Sequence, residues 1–350
     1  MAMRTYPKFK VAAMHASPVF LDTAKTVDKA CSLIEEAASN GASMVVFPEA
    51  FIPCFPIWHS LRAPGFNHDY FRRLAAAAVH VPGPEVRRLA ELAKRREIVI
   101  SMGINEGTTA SIGCLWNTNI LIGSDGRLLN HHRKIVPTYM EKLTWANGDG
   151  AGLRVVDTPL GRIGALICAE NCNPLARHAL MAQGEQVHIA TYPSTWLNGG
   201  NMSLAEGVRI RTEAHCTEAK VFTIAASMFL TETAKDILAE GDKELRARMD
   251  AGERNPTMIM GPSAELKAPV LRDEEGILYA DIDVNDCIVQ KQFHDLAGYM
   301  NRFDIFNLTV DRSTNDPVTF APARGRREHL DLDLTEDPAG AWSRAPQAAE

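Results

Sequence analysis

The sequence has no apolar run long enough to cross a bilayer as a helix, which takes about 20 residues. Its first segment, MAMRTYPKFKVAAM, lacks the long apolar core and the small-residue cleavage site of a secretory signal peptide. Both absences argue against a membrane or exported protein. We therefore expect a cytoplasmic protein with no membrane partner.

A surplus of positive charge is missing as well. The chain has 37 Lys and Arg against 43 Asp and Glu, which gives a formal net charge of -6. That balance offers no basic surface for a nucleic-acid partner. No G-x-G-x-x-G or P-loop stands between a strand and a helix, so nucleotide binding has little support.

Paired cysteines are also absent. An odd set of seven is scattered along the chain, at Cys31, Cys54, Cys114, Cys168, Cys172, Cys216 and Cys287. This distribution favours reduced thiols over a disulfide framework. Cys168 and Cys172 form a C-x3-C, but His178 and His188 downstream do not complete a common zinc spacing. No metal is expected.

The composition is that of a globular protein, with 46% hydrophobic and 23% charged residues, enough for a sizeable core. Strand-like and helix-like segments alternate. Helical spacing occurs at 23–42, 83–97, 173–186 and 204–220, and single apolar runs at 10–17, 42–49, 98–107, 187–194 and 220–227. Pairs of strands are predicted at 117–134, 153–171 and 264–283. Crossovers mixed with hairpins predict one layered α/β domain with a mixed sheet over residues 1–310.

Two segments depart from this alternation. Residues 235–256 are polar and charged, and we interpret them as an exposed helical insertion. Residues 311–350 are rich in Pro, Asp and Arg with little periodicity, which predicts an extended or partly disordered tail.

Three predicted strand segments end in reactive groups: Glu49 ends ASMVVFPE, Lys134 ends the second strand of the 117–134 pair, and Cys168 ends GRIGALIC. In open α/β sheets chemistry gathers where strands end, so these groups could converge. A thiolate is a good nucleophile, and a carboxylate in an apolar pocket can act as a base near neutral pH. A lysine beside them would offset the buried carboxylate and stabilise charge on a substrate heteroatom.

Taken one at a time, the three groups have simpler interpretations. Cys168 could be an inert core thiol, since buried free cysteines are common. Glu49 could cap a helix or lie on the surface, and HHRK (131–134) could form a solvated basic face.

The longer motifs around these three residues favour a shared catalytic role over the simpler interpretations. FPEAFIPCFP, HHRKIVPTYMEKLTWANGDG and ICAENCNPLARH resemble, in this order, the three signature regions of the nitrilase superfamily. HRK-x-x-PT-x-x-E-x-x-x-W-x-x-GDG and C-x-EN-x-x-PLAR resemble the true nitrilase branch in particular. The resemblance extends from about residue 8 to 310 and includes GYMNRFDIF at 298–306.

The resemblance implies a four-layer αββα sandwich and a role for each matched residue. Cys168 would be the nucleophile, Glu49 the general base and Lys134 the stabiliser of the tetrahedral intermediate. Glu141 matches a second glutamate that would orient Lys134 or the attacking water, and the N–H of Ala169 would be a further donor.

The implied activity is hydrolysis of an organic nitrile to the carboxylic acid and ammonia through a cysteine thioimidate and thioester. Some amide product is a further possibility, and no metal or organic cofactor is required. The family also implies a homo-oligomer built from two-fold dimers, often extending into spirals or filaments. An amidase or carbamoylase of the same superfamily and a non-catalytic, assembly-forming scaffold are the alternatives.

Two positions depart from the family's pattern. True nitrilases commonly carry Trp where this chain has Ala169, so either the pocket is roomier or another side chain fills the space. Cys54 stands where the family often has Gly, and an ordinary buried thiol explains it most simply. Adjacency to the motifs predicts pocket walls, with core packing the competing interpretation for each Trp: Phe55, Trp58, Thr138, Trp145, Ala169, Cys172, Pro193 and Trp196.

Overall fold

A computed structural model describes residues 5–195 and 203–315 of the chain. The apolar runs within these ranges form two mixed β-sheets. Their strands are β1 (Lys8–His15), β2 (Ala42–Val46), β3 (Val99–Thr108), β4 (Ser111–Ile122), β5 (Leu128–Arg133), β6 (Val156–Thr158), β7 (Gly161–Ile167), β8 (Val187–Tyr192), β9 (Phe222–Ser227), β10 (Met258–Met260) and β11 (Gly276–Asp283).

One sheet has six strands in the order β11-β1-β2-β3-β4-β5, and the other has five in the order β10-β9-β8-β7-β6. The neighbours β1, β2 and β3 run parallel, as do β7, β8 and β9, because a helix connects most of these strands. All four edge strands pair antiparallel with their neighbours, and β5 and β6 do so through short turns. Each sheet therefore combines helical crossovers with hairpins, as the sequence predicts.

Helices cover the outer faces of both sheets. They are α1 (Thr23–Ser39), α2 (His68–Ala76), α3 (Pro84–Arg96), α4 (Pro174–Met181), α5 (Leu204–Ala219), α6 (Glu232–Ala239), α7 (Lys243–Asp250) and α8 (Asp286–Phe293). Their ends follow local chemistry. Asp22 caps the first turn of α1 by accepting from the Lys25 N–H at 3.0 Å, and Gly41 follows the helix at a φ of +82°.

Alternation along the strands divides the core into layers. In β1, Val11 and Ala13 face the second sheet, whereas Ala12 and Met14 face α1 and α3. The middle layer is filled by aliphatic side chains of both sheets, among them Ile189 and Ile224. The four-layer αββα sandwich expected from the sequence is thus confirmed.

The segment 264–283 differs from its prediction. It contains one strand, β11, whereas residues 264–275 are irregular apart from isolated bridges such as Thr257 with Leu271. The second strand of this region is β10, which lies earlier in the chain and pairs with β9. The Pro and Asp residues of 264–275 interrupt a continuous ladder, which explains why apolar content alone misplaced the strand.

The prediction of an exposed insertion at 235–256 is wrong. The segment is helical, but α6 and α7 bury Leu238 and Met249 in one apolar cluster with Trp58 and Tyr70. Polar contacts reinforce this packing. The Tyr70 hydroxyl donates to Glu240 Oε1 at 2.6 Å, and Arg62 and Arg248 donate to the carbonyls of Leu238 and Leu61. A few apolar positions among many charges therefore hold these helices onto the domain.

The described residues belong to one compact unit that ends at Asn315. Its last residues lie against the segment after β5: Arg312 donates to the Leu153 carbonyl at 3.0 Å, and the Asn315 N–H donates to Asp149 Oδ2 at 3.1 Å. Most of the predicted tail, residues 316–350, is outside the described residues, so the boundary at 310 stays a prediction. None of the helices in the described ranges combines the length and the hydropathy that a bilayer-spanning segment requires.

Packing of α6 yields a stability prediction with a neighbouring control. Leu238 is 1% exposed and Ile237 is 37% exposed. We expect Leu238→Ala to lower the free energy of unfolding by about 2–4 kcal/mol, because it leaves a cavity, and Ile237→Ala by less than about 1 kcal/mol. Urea unfolding measures both. Equal effects of the two substitutions would contradict the packing of α6 onto the domain.

Candidate active site

Both sheets contribute to one buried cluster of charged groups. Glu49 follows β2 and Lys134 follows β5 in the six-stranded sheet, and Cys168 follows β7 in the other. Glu141 lies in the short 3-10 helix Tyr139–Leu143. Atoms of Glu49, Glu141 and Cys168 lie within 4.8 Å of one another. The structure thus brings together all four residues that the sequence predicts to be catalytic.

Lys134 lies between the two carboxylates. Its Nζ donates to Glu49 Oε1 at 2.8 Å and to Glu141 Oε2 at 2.6 Å. Glu49 Oε1 also accepts from Asn117 Nδ2 at 2.7 Å, and Glu141 Oε2 accepts from the Thr138 N–H at 2.8 Å. All three charged side chains are almost completely buried. The ammonium therefore occupies the place of the cation that two buried carboxylates require.

One oxygen of each carboxylate has no hydrogen-bond partner in the described part of the chain. These atoms are Glu49 Oε2 and Glu141 Oε1. A buried acceptor without a donor is costly, so its position usually has a function. Both oxygens are free to accept a proton or a hydrogen bond from the thiol, a water molecule or a substrate.

Burial dominates the protonation of this cluster. It raises the pKa of Glu49 to about 7, because the attraction of Lys134 only partly offsets the loss of water, and the nearby charge of Glu141 adds to the rise. Burial alone would favour neutral Lys134, but Glu141 and Glu49 outweigh it and raise the pKa of Lys134 well above its ordinary value. Glu49 can therefore exchange a proton near neutral pH while Lys134 keeps its charge.

Cys168 is held in an unusual conformation. Its φ is +50°, in the left-handed region that costs a residue other than glycine about 1–3 kcal/mol. The side chain is 7% exposed. Burial, followed by the charge of Glu49, raises the pKa of the Cys168 thiol well above its ordinary value. The resting sulfur is accordingly a protonated thiol that needs a base before it can act as a nucleophile.

Asn171 holds the turn that contains Cys168. Its Nδ2 donates to the carbonyls of Cys168 at 3.0 Å and Leu166 at 3.4 Å, and its Oδ1 lies 2.8 Å from His188 Nε2. His188 Nδ1 in turn lies 2.8 Å from Glu185 Oε1, and Glu185 Oε2 lies 2.7 Å from His215 Nε2. This buried chain of hydrogen-bonded side chains holds Asn171 in place, and Asn171 in turn holds the strained backbone at Cys168.

Glu170 joins the Cys168 turn to β5 and to the residues that follow it. Its carboxylate accepts from the Ile135 and Ile167 N–H groups, both at 2.7 Å, and pairs with His132 Nε2 at 2.8 Å. Burial by itself would raise the pKa of Glu170, but His132 and these N–H groups lower it overall. Glu170 thus fixes the spacing between the two sheets at the site.

Each residue of the basic run HHRK lies next to a carboxylate of the protein, so the run does not form a solvated basic face. Besides His132 and Lys134, His131 Nε2 lies 2.8 Å from Glu106 Oε2, and the Arg133 guanidinium donates to the same carboxylate. Burial alone would raise the pKa of Glu106, but these contacts lower it to about 2.

Two glycines allow backbones to approach closely around the cluster. A Cβ on Gly103 would lie 2.2 Å from the Pro48 carbonyl oxygen, next to Glu49. A Cβ on Gly148, in the NGDG run, would lie 2.7 Å from the Lys134 carbonyl oxygen, which accepts from the Gly148 N–H at 2.8 Å. Both distances are too short for any side chain, so the glycines are needed to position Glu49 and Lys134.

A cavity of about 250 Å³ opens beside Cys168. Three predicted wall residues, Thr138, Ala169 and Pro193, line it. Sequence reasoning missed the others, which come from several separate elements: Tyr139, Tyr192, Leu204, Val208, Arg211 and Asn255. Tyr139 lies inside the HHRKIVPTYM motif, and Tyr192 directly precedes the predicted wall residue Pro193. The remainder lie on α5 and before β10, where no motif marks them.

Three of the predicted aromatic wall residues, Phe55, Trp58 and Trp145, lie away from this cavity. Phe55 and Trp145 pack edge to face at 5.5 Å, and the Trp145 indole donates to Asn105 Oδ1 at 3.0 Å. Trp58 stacks on Tyr70 at 5.1 Å and borders a different cavity, of about 380 Å³. None of the three is among the residues that line the cavity at Cys168. For these side chains, core packing is the better interpretation because adjacency in sequence does not decide which face they take.

The other predicted wall residues are Cys172 and Trp196. Cys172 is exposed and is not part of the cavity lining; its sulfur accepts from Arg211 Nε at 2.6 Å. Cys54 is buried in the aromatic cluster, where burial raises the pKa of its thiol to about 12. That environment agrees with an ordinary core thiol. Trp196 lies outside the described residues.

Comparison with known proteins agrees with this geometry. The family model described as carbon-nitrogen hydrolase matches residues 10–292. A nitrilase from Bacillus sp. (strain OxB-1) is 34% identical over 90% of this chain and 92% of its own length. Nitrilase 3 from Arabidopsis thaliana is 36% identical over 89% of each chain.

The chain belongs to the nitrilase branch of the carbon–nitrogen hydrolase family. Among solved structures, Nit3 from Saccharomyces cerevisiae, a member of branch 10 of the nitrilase superfamily, has a similar fold, with a TM-score of 0.67 at 20% identity. That comparison covers 86% of this chain and all of the yeast protein. Relatives matched along most of the sequence are nitrilases, so the amidase and scaffold alternatives are not favoured.

The charge balance of this carbon–nitrogen hydrolase predicts how Lys134 affects stability. We expect Lys134→Met to lower the free energy of unfolding by about 3–5 kcal/mol at pH 8, because two carboxylates lose their buried cation. Without that cation the pKa of Glu49 should rise above about 7. The loss should then shrink at pH 5.5, where protonated Glu49 carries no charge.

Urea unfolding at both pH values tests this expectation. Lys142→Met is the matched control, since Lys142 is an exposed lysine of the same short helix. Its effect should stay within about 0.5 kcal/mol at either pH. An equally large loss at pH 5.5 and pH 8 for Lys134→Met would show that charge balance is not the cause.

Proposed function

We propose that this protein hydrolyses an organic nitrile to the carboxylic acid and ammonia, with Cys168, Glu49, Lys134 and Glu141 as its catalytic residues. The observation that supports this most is the buried cluster itself. A thiol, a base with a pKa of about 7 and a fixed ammonium lie together, and the thiol borders a cavity that suits a small molecule. Relatives named nitrilases, matched along most of the chain, support the same substrate class.

The first step forms a covalent bond to the nitrile. Glu49 takes the proton of the Cys168 thiol as the sulfur attacks the nitrile carbon. The C≡N bond becomes C=N, and the nitrogen receives the proton back from Glu49 to give a thioimidate. Lys134, and the N–H of Ala169, would stabilise the charge that develops on this nitrogen.

Addition of water to the thioimidate gives a tetrahedral species that can lead to either of two products. Glu49 removes a proton from a water molecule that adds to the thioimidate carbon, and the tetrahedral species expels ammonia to leave a thioester. A second water molecule releases the acid and restores the thiol. If the tetrahedral species expels sulfur instead, the product is an amide. A difference of about 1.4 kcal/mol between these barriers changes the product ratio tenfold.

Glu141 acts on this chemistry through its neighbours. Its Oε2 holds Lys134 Nζ at 2.6 Å, which fixes the ammonium close to the sulfur, and its free Oε1 could accept from the attacking water. The catalytic steps need no metal or organic cofactor, because side chains supply the nucleophile, the base and the positive charge.

We also propose that the chain associates with copies of itself. Large apolar side chains are exposed along the segment after β11, including Phe293, Phe303 and Phe306, and Leu175 on α4 is exposed as well. A groove of about 1070 Å³ runs between α4 and this segment. Such a surface is typical of protein contacts. The cytoplasmic location likewise stays a prediction.

The nucleophile assignment has a direct test. We expect Cys168→Ser to lower ammonia release from a panel of aliphatic, aryl and arylacetonitrile substrates by at least about 1,000-fold, because a hydroxyl is a much weaker nucleophile here. Cys31→Ser, on the outer helix α1, is the control and should keep full activity. No turnover of any nitrile by the unchanged protein would count against the proposed function, and retained activity in Cys168→Ser would exclude this nucleophile.

The raised pKa of Glu49 predicts the pH dependence of kcat/KM. A base works only when deprotonated, so activity should be full above pH 7 and fall as pH drops through about 7. Glu49→Gln should lose about 100- to 10,000-fold in kcat/KM and show no such acid limb. Initial rates from pH 5 to 9 test both. An acid limb near pH 4.5, or normal turnover by Glu49→Gln, would contradict this role.

A further inference from the structure

Arg211 differs from the other arginines near the site. It lies on α5 and lines the cavity beside Cys168. Within the described ranges, no carboxylate lies within 4.0 Å of its guanidinium, and the hydrogen bond that it makes runs from Nε to Cys172 Sγ. Arg209 on the same helix pairs with Glu206 and Glu213, and Arg177 pairs with Glu218. A partly buried arginine without an anion leaves most of its five N–H donors without an acceptor.

The guanidinium has a defined position. It folds back over α5, where a Cβ on Gly207 would lie 3.1 Å from its Nη1 and 3.5 Å from its Nη2. Nε is engaged by Cys172 on one side, so the two terminal nitrogens remain for a ligand. This fixes the direction in which Arg211 presents its free donors.

A second unpartnered group lines the same cavity. Tyr192 ends β8 and is 1% exposed, and its hydroxyl has no hydrogen-bond partner in the part of the chain that the structure describes. Burial raises the pKa of this phenol, with Arg211 a smaller opposing influence, so the hydroxyl keeps its proton and can donate. Two donors that lack acceptors thus border the space next to the nucleophile.

From this arrangement we propose that the preferred substrate is a small nitrile that carries a carboxylate, bound by Arg211 and the Tyr192 hydroxyl. The inference rests on the proposed nitrile hydrolysis and names its substrate class. Arginine binds carboxylates through parallel N–H donors, and a phenol can add a third. A volume of about 250 Å³ equals roughly eight waters at 30 Å³ each, which suits a short cyano acid.

The reaction of such a substrate balances without any co-reactant other than water. A cyano carboxylate and two water molecules give a dicarboxylate and one ammonium ion, with the charge unchanged at minus one. The C–N bonds break at Cys168 by the steps proposed above. The substrate's own carboxylate takes no part in bond making and only holds the nitrile carbon towards the sulfur.

The test compares a charged nitrile with an uncharged partner of the same shape. β-Cyanopropanoate and β-cyanopropanamide differ in charge and are almost equal in size. We expect the unchanged protein to have the higher kcat/KM for the carboxylate at pH 8. Arg211→Gln should reduce the carboxylate-to-amide ratio of kcat/KM by roughly 10- to 100-fold, the worth of a charged hydrogen bond.

Two further variants distinguish a loss of carboxylate binding from a nonspecific effect on the structure. Arg209→Gln removes an exposed arginine two residues away and should leave the ratio unchanged. Arg211→Lys keeps the charge without the planar fork and should retain part of the preference. Added salt should lower the preference of the unchanged protein, because Arg211 is only partly buried.

Succinate binding, measured by calorimetry, does not depend on nitrile turnover. We expect succinate to bind the unchanged protein and Arg209→Gln, and to bind Arg211→Gln at least roughly tenfold more weakly. If nitriles are hydrolysed with no preference for the carboxylate, and Arg211→Gln leaves the ratio unaltered, the inference fails while nitrile hydrolysis stands. If succinate binding depends on Arg211 but no nitrile is hydrolysed, the anion site stands and the proposed function fails.

Discussion

The contact of Lys134 with Glu49 and Glu141 is the constraint on which the rest of the site depends. Three charges buried this deeply are tolerable only when their distances are kept, since the loss of hydration is large. Glu49 and Lys134 follow strands of the same sheet, so strand register sets their separation. Glu141 reaches them from a turn that its own carboxylate closes by accepting from the Thr138 N–H. Local geometry and charge balance therefore stabilise one another.

The second sheet must then bring the thiol to this cluster. It does so with Cys168 in a strained backbone conformation. A φ of +50° is maintained because Asn171 holds the Cys168 carbonyl and Glu170 joins the turn to the end of β5. Neither side chain touches the cavity. Their positions explain why the residues of ICAENC act together: Cys168 presents the thiol, whereas Glu170 and Asn171 hold the turn that contains it.

The sequence was informative where chemistry coincided with periodicity. Glu49, Lys134 and Cys168 each end an apolar strand, and strand ends are where a sheet presents its functional groups. The sequence predicts α1 and α3 almost to their ends, and Gly41 and Pro84 stand close to the observed boundaries. By contrast, few apolar residues among many charges give α6 and α7 weak periodicity, so the sequence predicts an exposed insertion there.

The cavity walls could not be predicted in the same way. Phe55, Trp58 and Trp145 adjoin the motifs in sequence, but the turns after β2 and Glu141 direct them into the core. Arg211 and Asn255 line the cavity although no motif surrounds them. A pocket assembled from loops and the first turns of a helix depends on tertiary packing, and a single sequence does not specify that packing.

Product release follows from the same charge balance. On the proposed pathway a carboxylic acid forms beside Glu49 and Glu141, where one ammonium already serves two carboxylates. A third negative charge would be unfavourable in this low-dielectric space, because like charges at such distances repel strongly. The raised pKa of Glu49 lets it hold a proton while the acid forms and lose it again near neutral pH. Repulsion between the new carboxylate and deprotonated Glu49 would then weaken binding of the product, so the cluster that we propose activates the thiol would also favour product release.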